Sequence, residues 1–247
     1  MKEYNAALKT ARRAGTLMNA NFKKGLAVRY KGGVEPVTKV DLEVERLYKR
    51  AFAKFGHSFL GEETKSVAGD EYCWIIDPID GTSNYVSGIP FYNTSVAFAK
   101  GDEVLFGIVY NPFTRELFHA EKGKGAFLNG ERLRVKDEGV TKRSFLTFCA
   151  AGFEDKERAF DAWRRLKSRR YRQLGAAALE LAFTACGRID GVLLFKPKAW
   201  DVAAGMLLVR EAGGKAVNFK GKDFKFDDDG LIAAGPKTAG QIRRGLR

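Results

Sequence analysis

The first fifty residues alternate between helical periodicity and turn signals. Between residues 4 and 22, small and apolar residues recur every three or four positions, which predicts an amphipathic helix. Residues 30–40 interrupt that pattern with two consecutive glycines and a proline. A second apolar face begins at about Asp41 and predicts another helix, with Asp41 in the position of its N-cap.

From Cys73 onward, short apolar runs separated by turn residues predict strands, and the periodic segments between them predict helices. Interleaved strands and helices are typical of a layered α/β (α+β) fold. We expect residues 1–247 to form a single unit, with two subdomains that meet near residue 140 and the active site between them. Strands are predicted at residues 74–76, 92–99, 104–110, 116–120, 144–150, 190–195 and 231–234, and helices at 154–168, 175–186 and 201–212.

The composition narrows the class of protein. The 247 residues are 45% hydrophobic and 30% charged, which is ordinary for a globular chain and excludes a disordered one. No apolar run approaches the roughly 20 residues of a membrane-spanning helix. Two histidines make a His-based metal site or a catalytic triad a poor expectation. Cys73, Cys149 and Cys186 match no disulfide framework, so we expect buried thiols in a reducing cytoplasm.

The chain is strongly basic, with 43 Lys and Arg against 30 Asp and Glu and a formal net charge of +13. Such a surplus attracts polyanions and phosphorylated metabolites alike, so it concerns partners and not the fold. Nucleic-acid binding also requires an aromatic-interleaved basic stripe or a recognisable module, and the sequence has neither. Incidental RNA affinity is therefore the weaker interpretation, and an RNA- or protein-binding regulator stays open as an alternative of another class.

Acidic residues gather in three short clusters at the ends of apolar segments: Gly61-Glu62-Glu63, Asp77-Pro78-Ile79-Asp80-Gly81-Thr82 and Trp200-Asp201. Two carboxylates so close to a core would repel each other if they were unpaired, and a divalent cation is the simplest partner for them. Carboxylate and carbonyl oxygens without His or Cys favour Mg²⁺ or Mn²⁺ over zinc.

The segment between the two aspartates has its own consequences. Pro78 restricts the backbone, so the separation of Asp77 and Asp80 is set before a cation binds. Gly81 allows the backbone to approach a phosphate closely, and the amides of Gly81 and Thr82 are candidate donors to its oxygens.

The three acidic clusters, the last extended through Trp200-Asp201-Val202-Ala203-Ala204-Gly205, resemble the three signatures of the inositol monophosphatase family. This family belongs to the lithium-sensitive, metal-dependent sugar phosphatases, together with the fructose-1,6-bisphosphatases. Residues 37–41, 175–179 and 187–191 resemble further family segments in the same order, so the match covers essentially the whole chain. The resemblance implies a layered αβαβα fold, a homodimer, and Mg²⁺-dependent hydrolysis of phosphate monoesters.

The resemblance also implies roles for individual residues. Glu62, Asp77 and the carbonyl of Ile79 would bind a first cation, and Asp77, Asp80 and Asp201 a second. A third, weaker cation would also use Glu62, which gives two to three Mg²⁺ per site, with Mn²⁺ as the other candidate. The catalytic residues implied are Asp41 and Thr82, which orient the attacking water, and Glu62.

The substrate is less constrained than the chemistry. Inositol-specific members carry a Glu seven residues before the last aspartate, and here Leu194 stands there, followed by a basic segment with Lys196 and Lys198. One of these lysines could meet a second phosphate, which would favour fructose 1,6-bisphosphate. We expect an inositol-1-phosphate phosphatase of broad or dual specificity, with fructose-1,6-bisphosphatase as the alternative main activity. The predicted substrate contacts are Asp80, Gly81, Thr82, Ala177 through its backbone, Lys196 and Asp201.

Overall fold

The computed structural model describes residues 1–150, 153–166, 168 and 170–246. The helices are α1 (Lys2–Asn21), α2 (Lys39–Phe52), α3 (Thr82–Val86), α4 (Phe153–Arg165), α5 (Ala177–Ala185), α6 (Ala199–Glu211) and α7 (Pro236–Gly245). The strands are β1 (Val28–Lys31), β2 (Glu35–Thr38), β3 (Ser58–Gly61), β4 (Tyr72–Asp80), β5 (Asn93–Lys100), β6 (Glu103–Asn111), β7 (Glu116–Glu121), β8 (Gly125–Leu128), β9 (Glu131–Arg132), β10 (Phe145–Cys149), β11 (Arg170–Arg172), β12 (Gly191–Phe195), β13 (Lys215–Asn218) and β14 (Gly230–Ala234).

The larger sheet has seven strands in the order β3-β4-β5-β6-β7-β8-β9. Only β3 and β4 pair in parallel, and the other neighbours are antiparallel. Side chains alternate between its faces. Trp74 and Ile76 pack with α1 and α2, whereas Ile75 between them packs with α5 and α6. Both faces are buried, which explains why residues 73–76 of β4 form a continuous apolar run.

The second sheet has five strands in the order β11-β10-β12-β14-β13. Leu194 of β12 faces the same core as α5 and α6, whereas Leu193 faces a third core with α4 and α7. The layers are therefore α1 and α2, the seven-stranded sheet, α5 and α6, the five-stranded sheet, and α4 and α7. The predicted αβαβα fold is confirmed.

The chain leaves the first sheet at Arg132 and enters the second at Phe145. The predicted meeting point near residue 140 falls between them, and the division into two subdomains stays a prediction. No helix in the described part of the chain is long and apolar enough to cross a membrane. The three cysteines are free but only partly buried, so the expectation of buried thiols was too strong.

Several predicted boundaries need correction. The N-cap of α2 is Thr38 and not Asp41, because the Thr38 side chain accepts from the amide of Val40 while Asp41 accepts from the amide of Thr38. The segment read as a break contains the β1–β2 hairpin, since two glycines and a proline obscure its short strands. Helix α4 ends earlier than predicted, and residue 167 of that prediction lies outside the described residues.

Candidate active site

A cleft of about 500 Å³ opens between the two sheets, where several elements begin or end. It is lined by the end of β4, the start of α3, the start of α6, the segment after β3 and the end of β10. The predicted residues that line it are Glu62, Asp77, Ile79, Asp80, Gly81, Thr82 and Asp201. Lining residues that were not assigned from the sequence include Lys31, Cys149, Gln173, Gly175 and Trp200.

A β-bulge brings the two aspartates of β4 to the cleft. Asp77 is opposite Ser95 of β5, but Asp80 is opposite Asn93, so β4 advances three residues while β5 advances two. Residues three apart on a regular strand face opposite sides of the sheet. The extra residue in β4 compensates for this difference, and both carboxylates line the same cleft.

Asp77 is buried without a partner for one of its oxygens. Its residue is 2% exposed, and Oδ1 has no hydrogen-bond partner among the described residues. Burial raises the pKa of Asp77 well above its usual value, and the charges of Glu62, Asp80 and Asp201 raise it further. Burial likewise raises the pKa of Asp201 to about 7. The cleft therefore concentrates negative charge that solvent does not compensate.

Asp80 is held differently, by donors from both halves of the molecule. It accepts four hydrogen bonds: from Asn93 Nδ2 at 2.6 Å, and from the amides of Ala177, Ala178 and Leu179 at 3.0, 2.9 and 3.3 Å. Burial raises its pKa to about 6, although these bonds act in the opposite direction. Asp80 thus satisfies the first amides of α5. The Ala177 amide, predicted as a substrate contact, already donates to Asp80.

Asp41 and Thr82 meet beside the cleft although they are far apart in sequence. Thr82 Oγ1 lies 3.1 Å from Asp41 Oδ1 and 2.8 Å from the carbonyl oxygen of Ile79. Asp41 is fully buried, and burial raises its pKa despite the hydrogen bonds from Thr38 and Thr82. The single hydroxyl hydrogen of Thr82 therefore has two acceptors within reach, Asp41 Oδ1 and the carbonyl oxygen of Ile79.

Gly81 joins the strand of the two aspartates to α3. Its φ is +86°, in the left-handed region that favours glycine. A Cβ at this position would lie 3.0 Å from both the Phe91 carbonyl oxygen and the Ala176 Cβ. A larger residue would therefore strain the backbone that turns from Asp80 to Thr82.

Lys31 of β1 forms ion pairs with the two acidic residues that follow β3. No feature of the sequence predicted these ion pairs. Its Nζ lies 2.9 Å from Glu62 Oε1 and 2.9 Å from Glu63 Oε1. Burial raises the pKa of Glu63 to about 7, against the hydrogen bond from Lys31. The ammonium group therefore compensates part of the negative charge of Glu62 and Glu63.

The donor set fits a hard divalent cation, although it is not assembled around one. Among the described residues, no three His, Cys, Asp or Glu side chains converge closely enough to hold a metal ion as they stand. Glu62 is turned to Lys31, and Asp80 is turned to the amides of α5. The unpartnered Asp77 Oδ1 and the oxygen-only donors are nevertheless what Mg²⁺ or Mn²⁺ requires.

The structure does not bring Lys196 into the cleft. Its Nζ pairs with Asp155 Oδ2 of α4 at 2.9 Å, and the described residues that line the cleft include Lys198 instead. Leu194 is 1% exposed and packs in the core between the sheets. Sequence proximity to Asp201 did not distinguish the two lysines, because the partner of Lys196 lies 41 residues away.

Comparison with known proteins agrees with this geometry. The model of the inositol monophosphatase family matches residues 2–246. Nus factor SuhB of Xylella fastidiosa is 37% identical, with 97% of this chain and 92% of that protein covered. The fructose-1,6-bisphosphatase/inositol-1-monophosphatase of Thermotoga maritima is 35% identical, with 90% and 87% covered.

Solved structures are equally similar over the full length. The extragenic suppressor protein suhB of Bartonella henselae superimposes with a TM-score of 0.95 at 30% identity, covering 100% of this chain and 99% of that one. An IMPase of Thermotoga maritima gives a TM-score of 0.92 at 31% identity, covering 100% and 97%. Family members are in general metal-dependent phosphatases. The chain belongs to the inositol monophosphatase family and is a phosphoric monoester hydrolase.

Proposed function

We propose that the chain is a Mg²⁺-dependent inositol-1-phosphate phosphatase with broad or dual specificity. The observation that carries the proposal is the buried, unpartnered Oδ1 of Asp77 in a cleft that it shares with Glu62, Asp80 and Asp201. Uncompensated carboxylates of this kind are costly in a folded protein unless a cation or a proton joins them. A cation-binding site can retain such carboxylates, because the bound cations compensate their charge. Hydrolysis of a phosphate ester in turn depends on charge neutralisation.

Glu62, Asp77 and the carbonyl of Ile79 would hold one cation, and Asp77, Asp80 and Asp201 another, with a third and weaker one at Glu62. When bound, the cations neutralise the phosphate and make a water molecule more acidic. Lys31 competes with them for Glu62, since its Nζ already binds that carboxylate.

The other residues of the cleft act on the water and the phosphate. Asp41 accepts a hydrogen bond from the Thr82 hydroxyl, which leaves the hydroxyl lone pairs to orient the attacking water. The amides of Gly81 and Thr82 would donate to the phosphate, and the left-handed turn at Gly81 keeps them at the end of β4. Asp80 and Asp201 would contact the substrate next to their cation.

Dual specificity is supported by the mouth of the cleft. Leu194 is buried in the core and offers a polyol no contact, whereas Lys198 lines the cleft with no ion-pair partner for its Nζ within the described ranges. A free ammonium group suits a second phosphate. Relatives named as dual fructose-1,6-bisphosphatase/inositol-1-monophosphatase point the same way, and fructose-1,6-bisphosphatase as the main activity is the alternative.

The experiment that tests this proposal is phosphate release from inositol 1-phosphate and fructose 1,6-bisphosphate side by side, with Mg²⁺ and with EDTA as control. Comparable kcat/KM values for the two esters support dual specificity. A large preference for the bisphosphate would establish the alternative activity, and no release from either would contradict the proposal.

We further infer a cytoplasmic homodimer. The dimer is supported by exposed apolar side chains that lie near one another. Phe113 is 50% exposed, and its ring lies 5.8 Å from that of Phe22. Phe22 also contacts Tyr85, and the residue that follows Tyr85 is the partly exposed Val86. Clustered apolar exposure is typical of an interaction surface. Analytical ultracentrifugation should give a sedimenting species of twice the chain mass, and a monomer at micromolar concentration would contradict the inference.

A regulator that binds RNA or protein is the second candidate, because one groove is distinctly basic. Arg13 of α1 and Arg46 and Arg50 of α2 line a groove between the two helices, and none of them forms an ion pair with a described residue. Two relatives bear the name Nus factor SuhB. A labelled RNA oligonucleotide should then bind in a salt-dependent manner, and binding should survive Asp80→Asn but not replacement of the three arginines by Gln. Loss of binding in Asp80→Asn alone would contradict this role.

A further inference from the structure

Helix α2 carries two buried carboxylates one turn apart, and only Asp41 has a role in the proposed function. Asp41 and Glu45 are both 0% exposed and lie on the same face as Val44 and Tyr48. A buried carboxylate on a core-facing side of a helix is costly unless hydrogen bonds satisfy it. Asp41 is satisfied by Thr38 and Thr82. The partners of Glu45 therefore indicate what it does.

Glu45 binds the backbone and side chains immediately after β3. Its Oε2 accepts from the amide of Glu63 at 2.8 Å, and its Oε1 accepts from the hydroxyl of Thr64. Lys49, one turn further along α2, lies 3.8 Å from Oε1 and donates to both Thr64 Oγ1 and the carbonyl oxygen of Lys65. All these contacts reach the segment that supplies Glu62 to the cleft.

The close approach of Glu45 also explains a glycine. A Cβ on Gly61 would lie 2.6 Å from the carboxyl carbon of Glu45 and within 2.8 Å of both its oxygens. A Cβ does not come this close to a non-bonded heavy atom in real structures, so any other residue at position 61 would displace Glu45 or the strand end. The carboxylate of Glu45 thus touches the residue before Glu62 and binds the amide of the residue after it.

We infer that Glu45 is the positioning residue for Glu62: it fixes the backbone on both sides of that ligand without touching cation or substrate. The inference rests on the proposed function, in which Glu62 binds a cation. Lys31 holds the Glu62 side chain, through a contact that a cation would replace. Glu45 holds the backbone, and its contacts need not change when a cation binds. One helix therefore sets both parts of the site, through Asp41 at Thr82 and through Glu45 at Glu62.

The test compares Glu45→Gln with the matched control Glu43→Gln, an exposed position on the same helix. Glutamine keeps the size of the side chain, but its amide presents a donor where Glu45 now accepts from the Glu63 amide or the Thr64 hydroxyl. We expect amide hydrogen exchange at Glu63 to accelerate, and Mg²⁺ affinity measured by titration calorimetry to fall about tenfold or more. We expect kcat at saturating Mg²⁺ to recover to near the wild-type value. Glu43→Gln should change none of these.

Gly61→Ala provides a second variant in case Glu45→Gln does not fold. It leaves the carboxylate of Glu45 intact, but the added Cβ would displace that carboxylate. It should weaken Mg²⁺ binding in the same way. Unchanged Mg²⁺ affinity in a folded Glu45→Gln protein, with or without faster exchange at Glu63, would overturn the inference. A wild-type protein that binds no Mg²⁺ and releases no phosphate would contradict the proposed function instead, so the two failures can be told apart.

Discussion

Asp80 accepts a hydrogen bond of 2.9 Å from the backbone amide of Ala178, and this contact joins β4 of the larger sheet to the first turn of α5. A residue proposed to bind a cation therefore also accepts hydrogen bonds from the first amides of a helix that lies between the two sheets. Asp77, on the same strand, has an oxygen without a partner among the described residues. The two aspartates should consequently respond to the same substitution in opposite ways.

Asp77→Asn should stabilise the metal-free protein, because it removes an uncompensated buried carboxylate repelled by its neighbours. Asp80→Asn should destabilise it by about 1–3 kcal/mol, because an amide group would face backbone donors that need acceptors. Urea unfolding in EDTA at pH 7 measures both. Equal changes of the same sign would show that the two environments do not differ in the way described.

The contact between Thr82 and Asp41 should act as a unit. Thr82→Ala should lower kcat by about a hundredfold or more, since one positioned proton-transfer group contributes on that order, while Thr82→Ser should retain most activity. Adding Asp41→Asn to Thr82→Ala should cost little further, because the hydroxyl through which Asp41 acts is already gone. Steady-state kinetics of the four proteins give the coupling, and fully additive losses would speak against a shared role.

Glu180 of α5 should make the stability of the metal-free protein depend on pH. It is fully buried, Oε1 accepts from the Gly175 amide at 3.0 Å, and burial raises its pKa from an ordinary 4.5 to about 8. Between these values the unfolded chain loses a proton that the folded chain keeps. Folding stability from this group is therefore highest at low pH and falls as pH rises toward 8, by up to ~1.4 kcal/mol per unit.

Glu180→Gln removes that titration and can keep the acceptor for Gly175. Its free energy of unfolding in EDTA should fall less than that of the wild type between pH 5 and pH 8. The measurement is urea unfolding at both values. An offset from wild type that is the same at both would show that Glu180 does not titrate in this range.

The two lysines near Asp201 should differ in their effect on substrates. Lys198→Met should raise KM for fructose 1,6-bisphosphate by about tenfold or more relative to inositol 1-phosphate, since a charge-assisted hydrogen bond contributes ~1.5–3 kcal/mol. Lys196→Met is the matched control, because its ammonium pairs with Asp155 outside the cleft. Parallel changes for both esters in Lys198→Met would exclude a contact with the second phosphate.

The mixed α/β class and the acidic clusters of the candidate site could be predicted from local sequence patterns, whereas the αβαβα order of the layers came from the family resemblance. Apolar runs predicted the longer strands and periodic segments predicted most of the helices, but short elements such as the β1–β2 hairpin and α3 were missed. The order of the three acidic clusters pointed to one cleft, whose carboxylates Asp77, Asp80 and Asp201 do line it. Asp41 and Thr82 were paired through the family resemblance, and they lie within hydrogen-bond distance.

Contacts between distant segments could not be predicted in this way. Lys196 and Lys198 look equivalent in sequence, and only the position of Asp155 separates them. Glu45 follows Asp41 by four residues on an apolar helix face. A carboxylate on such a face is a sequence signal of a buried, hydrogen-bonded side chain. The hydrogen bonds from the amides of Ala177 and its neighbours to Asp80 depend on how the sheets pack. Local sequence patterns carry no information about that packing.

The carboxylates of this cleft are proposed to hold the Mg²⁺ with which the protein hydrolyses a phosphate ester. The most direct measurement is phosphate release from inositol 1-phosphate as Mg²⁺ is added back after EDTA treatment, with wild-type protein and with folded Asp77→Asn. We predict activity in the wild type only when Mg²⁺ is present, and a loss of roughly a thousandfold or more in Asp77→Asn, as expected when several kcal/mol of charge stabilisation are removed. Release that persists in EDTA, or wild-type activity in Asp77→Asn, would contradict the account.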